Sequence, residues 1–221
     1  MSTAELSIYP ARYTDRYGVE STTLRNNGAR LYLRLRGVTF SGADFDSLEP
    51  DPHAAPEALA TFDLHGGALC NCTIECEIPL PVVQESRTIA SPLEVHLELG
   101  RPTATGCLDR EVLILSLRLE GQSFRSAGDS GWFEDELLTL QSSLPAGSYL
   151  KACIGCAHAD YSPYGHGLFG GIACFRNWKE EHSRVKDKFD LFAILDKAEL
   201  VQETYLCPEF ERRRPNSGYR G

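Results

Sequence analysis

Four cysteines carry the clearest chemical signal in this chain. Cys153-Ile154-Gly155-Cys156 is a C-x-x-C turn, and Cys174 and Cys207 follow after 18 and 33 residues. A tight turn containing glycine can bring two thiolates to one ion, and zinc takes four tetrahedral ligands of this kind. The expected metal ligands are Cys153, Cys156, Cys174 and Cys207, with zinc as the cofactor. Four thiolates would close the coordination sphere and make the metal structural. Three thiolates and a water would leave a catalytic position open. Three alternatives stand beside this set: His158 or His166 in place of one cysteine, a redox-active pair, or four plain buried thiols. The redox reading lacks the βαβ pattern that usually surrounds such a pair.

The segment between the second and third cysteines is the most distinctive in the chain. It places His158, Asp160, Tyr161, Tyr164 and His166 among four glycines. Ser162-Pro163-Tyr164-Gly165 has turn chemistry, with proline second and glycine fourth. Tyrosine and histidine combine an apolar body with a polar tip, which suits a contact surface, so these five residues form the candidate binding loop. Packing over a metal knuckle would use the same residue types. Asp160, His158 and His166 have the chemistry of an acid–base set, but their spacing does not demand one. Gly165-His166-Gly167-Leu168-Phe169-Gly170 spells G-x-G-x-x-G, yet follows a turn and opens no clear helix, so a dinucleotide site is a weak reading. G-x-S-x-G, G-x-x-x-x-G-K-[ST] and H-E-x-x-H are absent, and no catalytic residue is assigned.

The remaining cysteines read differently. Cys70, Cys72 and Cys76 share parity with Ile74 and Ile78, so in a strand their thiols would enter the core as small apolar groups. Cys107 follows Gly106 in a turn and reads as a lone thiol.

The elements that must position these groups are mostly strands. Leu31, Leu33 and Leu35 alternate with polar or amphipathic neighbours, as do Leu93, Val95, Leu97 and Leu99; Leu113 to Leu119 keep the same period. Each predicts a strand with one buried face, and Asn26-Asn27-Gly28, Gly66-Gly67 and Gly100-Arg101-Pro102 separate them as turns. A helix is expected after a cap at Asp129 or Ser130, with Phe133, Leu137, Leu140 and Leu144 at helical spacing. Ser148–Cys153, Phe189–Leu195 and Leu200–Leu206 read as strands, and 177–188 as a short charged helix. The expected fold is mainly β (α+β): an antiparallel, two-layer, sandwich-like architecture with one or two short helices and a C-terminal cysteine cluster. Residues 1–128 would form an antiparallel β region with an acidic face. Residues 129–211 would carry the cysteine cluster and the loop, and 212–221 a mobile tail, in one compact domain overall.

Charge and length narrow the function. The 221 residues carry a net charge of −9, which argues against a general nucleic-acid binder. From Val38 to Glu98 there are eleven acids and one base, so this stretch is either a solvated face or a surface that steers a basic protein partner. The longest strongly apolar run, Val112–Leu117, is far short of a membrane span, and the first ten residues lack a secretory pattern, so the chain reads as cytoplasmic.

Cys153-x-x-Cys156, Asp160-Tyr161-Ser162-Pro163-Tyr164-Gly165 with His166-Gly167, Cys174-Phe175-Arg176 and Cys207-Pro208-Glu209-Phe210 resemble motifs of a bacterial, actinobacterial-type family of uncharacterised proteins. The resemblance covers roughly residues 130–212 and implies a grouping with no established activity. The sequence as a whole predicts a zinc-stapled, non-enzymatic binding or interaction module, with an immunity or defence role as one form of it. The alternative is a metal-dependent enzyme working through the His158–His166 loop.

Overall fold

The computed structural model describes residues 6–161 and 167–214. Strands β1 (Ser7–Asp15) and β2 (Gly18–Asn26) form a hairpin, followed by β3 (Leu31–Leu35), β4 (Val38–Gly42) and the short β5 (Glu49–Pro50). One helical turn, α1 (Pro56–Leu59), and the small hairpin of β6 (Leu64–His65) and β7 (Ala68–Leu69) lead into two long strands, β8 (Cys72–Gln84) and β9 (Arg87–Leu99). Then come β10 (Glu111–Leu119), β11 (Gln122–Arg125), helix α2 (Phe133–Ser143) and β12 (Tyr149–Leu150). The last part holds β13 (Ala159–Tyr161), β14 (Gly171–Cys174), α3 (Lys179–His182), α4 (Lys188–Ile194) and β15 (Glu199–Gln202).

The main sheet runs β11-β10-β9-β8-β1-β2-β3-β4-β5, with β12 also paired to β8. The described strands pair antiparallel throughout. The fold is therefore mainly antiparallel β with a few short helices, as the alternation predicts. Leu33, Leu35, Leu97 and Leu115 are fully buried on the inner side. Each such leucine contributes about 1.5–3 kcal/mol through removal of its side chain from water. Three hairpins close through two-residue loops with both central residues at positive φ: Arg36–Gly37, Glu85–Ser86 and Glu120–Gly121. That geometry matches the twist of the flanking strands. No helix among the described residues is long and apolar enough to cross a membrane.

Two elements depart from the sequence reading. Residues 189–195 fall largely in helix α4, because Asp187 accepts hydrogen bonds from the N–H groups of Phe189 (2.8 Å) and Asp190 (3.0 Å) and caps the first turn. Leu191 is buried while Phe189 is 80% exposed, so one helical face carries the packing. Helix α2 begins later than Asp129 or Ser130 would place it. Its cap position is Trp132, without a side-chain cap. Glu136 reaches back instead and accepts from the N–H groups of Gly128 (2.8 Å) and Ser130 (3.0 Å) and from Ser130 Oγ (2.6 Å). Burial opposes ionisation of Glu136, but these hydrogen bonds and one from Ser126 hold its carboxyl below the usual range.

Candidate metal centre

The C-x-x-C lies on one turn of 3-10 helix, Cys153–Gly155, closed by the Cys156 N–H donating to Cys153 O at 3.0 Å. Two separate pieces of chain converge on it. The hairpin β13–β14 sets Cys174 opposite Ala159, and Phe175 N–H donates to His158 O at 2.8 Å. From the other side, Cys153 N–H donates to Tyr205 O and Ile154 N–H to Glu203 O, at 3.3 and 3.0 Å. Ala157 N–H donates to Glu211 O (2.7 Å) and Arg213 N–H to Gly155 O (2.9 Å), so the stretch carrying Cys207 is laid along the turn. Arg212, assigned to the tail in the sequence reading, forms a β-bridge with Cys156.

All four cysteines are buried and carry free thiols. Burial pushes the Cys153 thiol up, and Cys174, Cys156 and Cys207 lie near enough to push it further. Burial also raises Cys174. The N–H and guanidinium of Arg176 work the other way on that sulfur, and Cys207 and Cys156 add to the rise. Arg176 Nη1 stands 4.0 Å from Cys207 Sγ, and its guanidinium is anchored to Glu199. The donor set is therefore soft, buried and next to the Arg176 cation, with an N–H aimed at a sulfur, which suits a thiolate–zinc group. Among the described residues, no three His, Cys, Asp or Glu side chains have a metal-holding arrangement.

The loop residues have separate fates. Asp160 is fully buried and accepts from His182 Nε2 at 2.7 Å and Arg213 Nη2 at 3.0 Å. Tyr161 is buried. His158 is mostly covered and lies 2.9 Å from Glu211 Oε2 through Nε2. Tyr164 and His166 lie outside the described residues. The sequence reading missed His182, whose ring stacks on Phe175 at 4.7 Å, and Arg213. Both sit in polar surroundings with no periodicity, and only the fold brings them to Asp160.

The other groups singled out in the sequence take their places elsewhere. Cys70, Cys72 and Cys76 are buried, and burial first of all pushes the Cys72 thiol up to about 12. Cys107 is exposed. Four carboxylates of the acid-rich stretch are paired. Arg12 pairs with Glu75 (2.5 Å), Arg16 with Asp63 (3.0 Å), Arg110 with Glu98 (3.0 Å) and Arg118 with Glu94 (3.7 Å). All four arginines come from outside it.

The sequence model of a family of unknown function, DUF6304, matches residues 7–159. That span holds the main sheet, α2 and the C-x-x-C, and ends before Cys174 and Cys207. No curated protein and no solved structure matches the chain.

Proposed function

The chain belongs to this family of unknown function, and we propose, from its own geometry, that it is a binding module whose last third is stapled by one zinc ion on Cys153, Cys156, Cys174 and Cys207. The observation that carries this reading is the proximity of four buried thiols from three separate chain segments, near Arg176. Zinc would replace four thiol protons, and the ion would supply the charge that compensates four thiolates. With four thiolates no coordination position is left for a substrate. The metal would hold the turn, the β13–β14 hairpin and the stretch after β15 together, and the surface they build would be the contact region.

The test is metal analysis of protein produced with zinc in the medium and purified without chelator. One equivalent of zinc is expected in the wild type, with loss in Cys153→Ser and Cys207→Ser. Cobalt exchange should give the intense near-ultraviolet charge-transfer absorption of thiolate–cobalt bonds. A metal-free wild type, or variants that keep their zinc, would remove the proposal.

A further inference from the structure

Glu203 follows β15 directly and is fully buried. Neither Oε1 nor Oε2 makes a hydrogen bond of normal geometry. Buried carboxylates without such bonds are rare in folded proteins and call for a physical account. Groups from several elements face it among the described residues. From α2 comes the buried carboxyl of Glu134, from β13 the Tyr161 hydroxyl, and from the turn before β14 the Gly170 N–H. The 3-10 turn at Cys153 contributes the Ile154 N–H, which is taken by the backbone carbonyl of Glu203. Burial pushes the Glu203 carboxyl well above its ordinary value; its own N–H works against this, Glu134 adds to the rise, and Tyr161 and Gly170 oppose it.

The cover over this carboxyl is itself strained. Phe169 has φ +74, a left-handed conformation that a bulky residue rarely adopts. It is held there by packing. Its ring stacks on Phe45 at 5.5 Å and lies against Phe133 at 4.6 Å. Phe45 N–H donates to Leu168 O at 2.9 Å and Phe133 N–H to Gly167 O at 3.2 Å. Gly170 lies beside Glu203: a Cβ there would stand in ordinary contact with Oε1, at 4.0 Å. A strained turn is thus clamped by two hydrogen bonds and two rings over a carboxyl beside a second acid.

The geometry points to a proton-operated latch: with Glu203 protonated, the Gly167–Gly170 turn closes over it, and with Glu203 ionised, repulsion from Glu134 and the need for water push the turn open. Opening hydrates the carboxylate and releases Phe169 from its left-handed conformation. The latch stands apart from the metal reading, since none of its groups is one of the four cysteines.

Hydrogen–deuterium exchange of the full chain between about pH 5 and about pH 9, corrected for the intrinsic pH dependence of exchange, tests it. Protection over residues 167–174 should fall by about tenfold or more in the wild type, which corresponds to about 1.4 kcal/mol. It should stay level in Glu203→Gln, with zinc content the same as in the wild type. Glu134→Gln removes the neighbouring charge and should move the opening to lower pH; it decides the matter if Glu203→Gln folds poorly. Level protection in the wild type, the same fall in a folded Glu203→Gln, or an unmoved profile in Glu134→Gln would overturn the latch.

Discussion

Asp160 Oδ2 and His182 Nε2 lie 2.7 Å apart in the interior, joining β13 to α3 across 22 positions of sequence. Arg213 closes on the other carboxylate oxygen at 3.0 Å. One aspartate therefore ties the hairpin, a helix and the end of the described chain together.

Removing that carboxylate should loosen all three. Asp160→Ala removes the carboxylate that pairs with the Arg213 guanidinium, 15% exposed, and the acceptor of His182. A loss of about 3 kcal/mol or more is expected, read as a lower urea midpoint at an unchanged slope. Asp160→Asn keeps the shape and one acceptor, and should lose less.

Chelation should act locally before it acts globally. On the zinc reading, dipicolinate or EDTA lowers the thermal midpoint of the wild type and raises exchange first in residues 153–156 and 171–174. Cys70→Ser removes a buried thiol outside the centre, so it should cost stability without changing zinc content. Equal zinc loss in Cys70→Ser and Cys153→Ser would count against the assignment.

Stability should depend on pH through Glu203. Its folded-state pKa lies well above the ordinary value because of burial and Glu134. Between those two values the folded chain holds a proton that the unfolded chain has lost. Unfolding free energy from this residue therefore falls as pH rises, and is fully present only below the ordinary carboxyl range of about 4.3. Glu203→Gln cannot lose that proton. The gap between variant and wild type should widen in the variant's favour as pH increases, measured by urea unfolding across the range. A constant gap would contradict this.

Gly42 tests a close approach of backbone. A Cβ there would lie 2.3 Å from Ser47 O and 2.6 Å from Ser47 Oγ, inside the turn that precedes β5. Backbone must shift to admit it, so Gly42→Ala should destabilise by about 1–3 kcal/mol. Thermal melts of the two proteins give the difference.

Alternation made much of the main sheet readable. Leu93 to Leu99 and Leu113 to Leu119 point inward at every second position because a strand offers only two faces. The parity of Cys72 and Cys76 with Ile74 and Ile78 is local in the same way. Residues 189–195 were harder, because a short apolar run fits strand and helix alike; the Asp187 side chain settled it through two hydrogen bonds. Spacing named Cys153 and Cys156 as a pair, since one turn holds both.

What only the tertiary structure decided is long-range. Sequence determined that Cys174 and Cys207 exist, but the β13–β14 register and the backbone bonds of Glu203, Tyr205 and Glu211 bring them to the turn. Sequence likewise showed an acid-rich stretch, yet arginines at 12, 16, 110 and 118 pair with it from neighbouring strands and turns. Glu203 gave no signal at all in one dimension, being one glutamate among many. Periodicity reports which way a side chain points on its own element, whereas charge balance, burial of a carboxyl and convergence of thiols depend on which other elements pack against it.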